Sequence, residues 1–324
     1  MQKGTKSLNI PIPQRILITG HCGLIGTALS HALIAQGHHV RGLDVRATGA
    51  DRGDLCDRPA LKEAMEDCDG VIHLGAVSRV IDGELDPQAC WAVNAEGTQQ
   101  LVDVARKQFR NPWLIYASSR EVYGEVEALP ANEDTPRRPI NIYGRSKVAG
   151  EDAVLASGLR SSIVRFSNVY GSAADYVDRV VPAFCRQACT NQPLRVDGSG
   201  HTFDFTHVSD TVRGLLLLIG KLQAGHESVT LHFLTGQPTR LDQLAKLAVE
   251  LANSSSQIYE ASPRNFDVGL FYGDGSRAKS VLGWRPEVSL REGLRQLIQD
   301  FRTDFGAVHR LTEGLPAEAG RFGT

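Results

Sequence analysis

Long apolar runs are missing from this 324-residue chain. Even the leucine-rich stretch 215–219 falls far short of the ~20 residues that cross a bilayer, so no membrane-spanning segment is expected. Residues 1–14 hold Lys3, Lys6 and two prolines but no apolar core of signal-peptide length, which points to a cytoplasmic location. A surplus of one charge is also missing. Lys and Arg number 35 against 37 Asp and Glu, and the formal charge of -2 provides no field to attract a polyanion, which argues against a nucleic-acid partner. Cysteine is sparse and unpatterned: Cys22, Cys56, Cys68, Cys90, Cys185 and Cys189 form no CxxC pair and have no histidine at zinc spacing. No metal site is expected, and the thiols are read as reduced. No internal repeat or low-complexity tract breaks the chain.

What is present is an alternation of strand-like and helix-like segments, the pattern of an α/β fold with a doubly wound parallel sheet. Arg15-Ile16-Leu17-Ile18-Thr19 reads as a buried strand leading directly into Gly20-His21-Cys22-Gly23-Leu24-Ile25-Gly26 and an apolar-periodic helix. In such a unit Gly20 permits a tight turn, Gly23 lets backbone approach a pyrophosphate, and Gly26 lets the helix pack against the strand. The helix N-terminus then attracts the anion. A second strand, 39–43, ends in Asp44, placed to accept hydrogen bonds from an adenine-ribose diol. A carboxylate there repels a ribose phosphate, so NAD is favoured over NADP, with Arg46 two residues on as the one opposing sign.

Tyr143 and Lys147 stand four residues apart, about one helical turn, so phenol and ammonium fall on one face. An ammonium that close is expected to draw the phenol pKa down from about 10 and make Tyr143 a general base. The strand 113–117 delivers Ser118, Ser119, Arg120 and Glu121 at its carboxyl end, the edge where open parallel sheets bind ligands.

Together these motifs resemble the extended short-chain dehydrogenases/reductases of the NAD-dependent epimerase/dehydratase family, which are mostly nucleotide-sugar enzymes. The resemblance runs from about Arg15 to Ile298. Further motifs that carry it are Asp54-Leu55, His73-Leu74-Gly75-Ala76, Ser118-Ser119-Arg120-Glu121-Val122-Tyr123-Gly124, Arg165-Phe166-Ser167-Asn168-Val169-Tyr170-Gly171 and Leu282-Gly283-Trp284-Arg285-Pro286. It implies a Rossmann domain at 1–171 plus about 209–224, a smaller C-terminal α/β substrate domain at 172–208 and 225–302, and a tail at 303–324. The implied cofactor is NAD, held by Gly20, Gly23, Leu24, Ile25, Gly26, Asp44, Asp54, Leu55, Leu74, Gly75, Ala76 and Asn94 together with Tyr143 and Lys147.

The resemblance also implies a chemistry: Tyr143 takes the proton of a sugar hydroxyl, expected at C4, while Ser119 orients the same oxygen and Lys147 holds the nicotinamide ribose. A transient ketone then opens the way to epimerisation, elimination or decarboxylation. Glu121 sits where relatives that dehydrate or decarboxylate carry a glutamate, which makes it a candidate acid or base; a carboxylate paired with Arg120 is the competing reading. Arg120 departs from the dehydratase pattern and cannot donate a proton near neutrality, but it can clamp a carboxylate or phosphate. Asn168 and Arg264 match substrate-phosphate contacts, whereas Phe203 stands where many relatives place a diphosphate-binding arginine, leaving His201, Arg179 or Arg195 to compensate. His73 is read as a satisfied core residue and Asn94 as either bonding across strands near the cofactor or capping its helix. A homodimer through the helices following Asn94 and Tyr143 is implied. The alternatives are a nucleotide-sugar decarboxylase and an NAD-dependent dehydrogenase of a non-nucleotide hydroxyl substrate. A fold retained only for binding is disfavoured by the intact Ser119, Tyr143 and Lys147.

Overall fold

The computed structural model describes residues 14–313. The sequence readings at 1–13 and 314–324 lie outside the described residues.

Six parallel strands form the central sheet, in the order β2-β1-β3-β4-β5-β10. These are β1 (Arg15–Thr19), β2 (His39–Leu43), β3 (Gly70–His73), β4 (Trp113–Ser119), β5 (Ser161–Phe166) and β10 (Val229–Phe233). Between β5 and β10 the chain adds β6 (Asn168–Tyr170), β7 (Leu194–Asp197), β8 (Thr202–Phe203) and β9 (Phe205–His207). Strand order reverses between β1 and β3, which opens a crevice at their carboxyl ends.

Side chains alternate across each strand, so β1 serves two cores at once. Ile16 and Ile18 pack on the side of α1 (Leu24–Ala35) against Leu29 and Leu33, together with Leu215 and Leu218 of α8 (Val208–Gln223). Leu17 faces the opposite layer, made by α2 (Arg58–Met65), α5 (Gly97–Ala105) and α6 (Ile142–Leu155), where it meets Leu61, Leu101 and Val154. Burial on both faces explains why these strands read as continuous apolar runs, each large side chain contributing about 1.5–3 kcal/mol. Leu215 and Leu218 are the buried face of α8 and Leu217 is exposed, as amphipathic spacing requires.

A second core lies beyond the sheet. Val181, Phe184 and Cys185 of α7 (Val180–Cys189) pack with Leu241 and Leu244 of α9 (Leu241–Leu251) and with Leu294, Leu297 and Ile298 of α11 (Leu290–Glu313), which follows the short α10 (Ser276–Leu282). Phe203 and Phe205 enter this core from β8 and β9. Helix α11 continues past Thr303, where the sequence suggested a tail begins. Once a helix is nucleated, each added residue gains a hydrogen bond, so weak amphipathicity does not end it.

Two expectations about Asn94 are resolved. The helix around it starts earlier than the sequence suggests: α3 (Val80–Leu85) and α4 (Pro87–Trp91) come first, and the turn Ala92–Glu96 is wound as a π-helix that joins α4 to α5. Asn94 is therefore interior to a helix and caps nothing. The wide turn, a common device at functional sites, leaves its side chain free for the neighbouring loop. Its Oδ1 accepts from Val77 N at 2.8 Å, and its Nδ2 donates to Val77 O at 3.0 Å and to Ser146 Oγ at 3.0 Å.

Candidate active site

A cavity of about 670 Å³ runs along the carboxyl edge of the sheet. Every sequence-derived site residue except Asn94 lines it, from Gly20 and Asp44 at one end to Ser119, Arg120, Glu121, Asn168, Phe203 and Arg264 at the other. Asn94 stands behind the lining and holds Val77, which is part of it.

The first end is built from backbone. Gly20 has φ +71°, and a Cβ there would lie 2.7 Å from Gly75 N and Cα, so both loops depend on small residues. A Cβ on Gly26 would lie 2.4 Å from Gly20 O, which makes the close approach of α1 to the loop dependent on glycine. Helix α1 begins after Gly23 with no side-chain cap, so its first N–H groups are directed at the cavity end by the loop alone. Asp44 is buried and accepts from Cys22 N at 3.1 Å and Arg46 N at 2.9 Å. The Arg46 side chain turns to Asp44 as well, Nε to Oδ1 at 3.4 Å. Arg46 is thus partly neutralised by the carboxylate and is not held open for a ribose phosphate. His21, Cys22 and Asp44 bring potential ligand atoms within 4.8 Å of one another, but Asp44 already serves these donors. Below the loop, His73 is fully enclosed between the Thr19 and Thr98 hydroxyls at 2.7 and 2.9 Å, and burial lowers its pKa to about 3. This is the satisfied core histidine expected.

Tyr143, Lys147 and Ser119 meet where β4 ends and α6 begins. Asn141 caps α6, its Oδ1 accepting from Gly144 N at 2.7 Å, and so sets the register that turns Tyr143 and Lys147 to one side. The Lys147 ammonium donates to Ala117 O at 2.9 Å and lies 5.9 Å from the Tyr143 ring centroid. The expected lowering of the tyrosine pKa is reversed here. Burial raises Tyr143 to about 12, and burial also brings Lys147 down to about 8. Taking a charge out of water outweighs attraction across this distance. Contact with the Ser119 hydroxyl, and then the charge of Arg179, oppose the rise at Tyr143.

The other end is assembled from side chains. Glu121 is buried, with Oε1 2.9 Å from Arg120 Nη2 and Oε2 accepting from Asn141 Nδ2 at 2.8 Å. The paired reading of Glu121 is the one the geometry displays. Arg120 lies with its Cζ 4.3 Å from the Phe203 ring centroid, so Phe203 is both a core residue and a platform for a cation. Arg264 pairs with Asp267 at 2.7 Å and Arg195 with Asp197 at 2.8 Å. The Asn168 side chain makes only a long 3.4 Å contact to Asp204 O.

Several contributors were not singled out in the sequence. Asn141 was legible as an N-cap one residue before a helix. Tyr176 was not, because it sits in an irregular loop; its ring gathers Arg46, Arg79 and Arg179 at 5.3–5.8 Å. Arg79 pairs with Asp178 at 2.5 Å and Arg179 donates to Ser78 at 2.9 Å, which ties this loop across the cavity to the segment after β3. Beneath Ser118, the buried Glu151 accepts both Arg165 Nε and Nη2 at 2.7 Å and Ser118 Oγ at 2.5 Å.

A doubly wound dinucleotide-type sheet with a Ser-Tyr-Lys group at its carboxyl edge defines a class of oxidoreductase-derived enzymes. Comparison makes this specific. The NAD dependent epimerase/dehydratase family matches residues 16–231, and the chain belongs to that family. It is 30% identical over 312 residues to UDP-glucuronic acid decarboxylase 1 of Xenopus tropicalis, covering 90% of this chain and 73% of the relative. It is 29% identical over 316 residues to the UDP-glucose 4-epimerase of Mycolicibacterium smegmatis, covering 89% and 98%. Among solved structures, MoeE5 in complex with UDP-glucose and NAD superposes with a TM-score of 0.83 at 29% identity, covering 90% of this chain and 99% of that one. The family's NAD fits the residues present: the glycine cradle at Gly20 and Gly26 would be filled by any Cβ, and Asp44 stands at the end of β2.

Proposed function

We propose that this enzyme converts a nucleotide sugar by transient oxidation at C4, in a redox-neutral epimerisation or dehydration that leaves NAD unchanged at the end of each cycle. The observation that carries the reading is the meeting of Tyr143, Ser119 and Lys147 on one wall of the cavity whose far end is the glycine cradle. The named relatives act on UDP-linked sugars, which supports a nucleotide sugar at the side-chain end.

NAD, when bound, supplies the acceptor and donor of hydride at the sugar carbon. Tyr143 would take the hydroxyl proton as the C–O bond becomes a carbonyl and return it when that bond is restored, which requires the phenol, held protonated near neutrality by burial in the protein alone, to ionise once cofactor and substrate are in place. Ser119 orients the oxygen. Lys147, fixed by Ala117 O, would hold the nicotinamide ribose and place a positive charge beside the phenol. Asp44, Asp54, Leu55, Leu74, Gly75 and Ala76 would line the adenosine and pyrophosphate. Asn168 and Arg264 would meet the sugar nucleotide's phosphates, with Arg195, Arg179 and His201 supplying the charge that Phe203 does not. Glu121 positions Arg120 in this account.

The chain would act as a cytoplasmic homodimer through the helices following Asn94 and Tyr143. In support, its six cysteines are free, and Leu155 is exposed at the end of the helix following Tyr143.

Incubation with a panel of nucleotide sugars, followed by mass spectrometry and NMR, tests the reading. Unchanged mass with inverted C4, or loss of water, is the expected result. Loss of carbon dioxide would instead make it a decarboxylase. Stoichiometric accumulation of reduced nicotinamide would replace the proposal with a dehydrogenase.

A further inference from the structure

One guanidinium at the side-chain end is incompletely used. Arg120 is 11% exposed in its side chain, gives Nη2 to Glu121 and lays its face on Phe203, yet its Nη1 is buried without a hydrogen-bond partner. An unpartnered buried donor on a charged group is costly, and native structures retain such groups mainly where something else satisfies them. The surroundings hold the plane rather than consume it. Phe203 and Phe271 lie 4.3 and 5.8 Å from Cζ, Asn141 anchors Glu121 from behind, and Glu121 occupies a single guanidinium nitrogen. Such a fork has a second edge suited to a planar anion.

We propose that Arg120 anchors a carboxylate carried by the sugar, so that the preferred substrate is a nucleotide-linked uronic acid. The inference rests on the nucleotide-sugar reading and narrows it to epimerisation, since a uronic acid has no C6 hydroxyl to eliminate. Position in the chain favours this anion over the diphosphate. Arg120 directly follows Ser119, the residue in contact with the reacting Tyr143 hydroxyl, so it belongs to the end where sugar C4 must lie. The carboxylate of a uronic acid is bonded to C5, the neighbour of C4. The cations suited to a diphosphate, Arg264 and Arg195, come instead from the segments around β7 and residue 267. Glu121 is the acidic group paired with Arg120; its contacts with Arg120 and Asn141 occupy both its oxygens, which reduces repulsion of a second carboxylate.

The test is calorimetric titration of the NAD-loaded protein with UDP, UDP-glucose and UDP-glucuronic acid, repeated with the dTDP-linked pair. Wild type is expected to bind the glucuronic acid ten- to a hundredfold more tightly than the glucose. Arg120→Gln should collapse that ratio towards one, and Arg120→Lys should restore part of it. A wild-type ratio near one overturns the proposal and leaves the nucleotide-sugar reading standing, and this holds even if the variants do not fold. Equal weakening of UDP and both sugars by Arg120→Gln also overturns it, because that pattern marks a diphosphate contact. If none of the five ligands binds, the proposal falls together with the reading beneath it.

Discussion

The two ends of the cavity are built by different means. At the end proposed for the dinucleotide, the lining is mainly backbone N–H groups, glycines and one carboxylate of the first β-α-β unit, with Gly75 as the distant neighbour. At the end proposed for the sugar, Arg120, Asn141, Phe203 and Arg264 converge from four separate segments, and each side chain is held by another side chain. The first end offers little room for variation because a Cβ would strike backbone. The second can be altered one side chain at a time. A shared cofactor with a changeable substrate is the expected outcome of such a division.

The comparison can be broken most sharply at the junction of the two ends. Tyr143→Phe should lower turnover by about 10³-fold or more while NAD remains bound, as measured by steady-state assay alongside cofactor content. Retained turnover would move the proton transfer to another group. At the dinucleotide end, Gly26→Val should weaken NAD binding about ten- to a hundredfold, because the new Cβ would overlap Gly20 O and His21 Cα. The corresponding change at Gly220, whose Cβ position is open, should leave NAD binding as it is.

The smallest effect concerns the layers behind the ends. His73 lies below the glycine loop, while His232, bonded to the Tyr123 hydroxyl at 2.5 Å, lies behind the sugar end. Burial holds them at about 3 and about 4, against 6.5 for the free side chain. Below pH 6.5 the unfolded chain takes up these protons and the native state does not, so stability is complete above 6.5 and falls as pH drops towards the folded values. Between pH 6 and 5, His73→Gln should reduce the slope of unfolding free energy with pH by about 1 kcal/mol per pH unit. An unchanged slope would mean that His73 is already charged in the folded protein.

The same division governs what could be read from the sequence. Strand β1, the glycine turn and Asp44 were legible because their geometry is fixed by neighbours within about thirty residues. Tyr143 and Lys147 were legible because α-helical periodicity fixes their relative direction. Their ionisation was not, since it is set by burial, which depends on how α6 packs against β4 and α4. Arg120 was recognisable as a departure, but its stacking on Phe203 joins residues 83 positions apart and has no local signature. Tyr176 carried no pattern because its three arginine neighbours come from three loops.

The central claim is that Tyr143 works with recycled NAD on a carbinol that is oxidised and then reduced within one visit. The most direct measurement uses a nucleotide sugar that the panel shows to be turned over, deuterated at C4, with the NAD-loaded enzyme and no added dinucleotide. The account predicts many turnovers, deuterium retained in the product without exchange into water, and no lasting absorbance from reduced nicotinamide. A single turnover that leaves one equivalent of deuterated, reduced cofactor would contradict it.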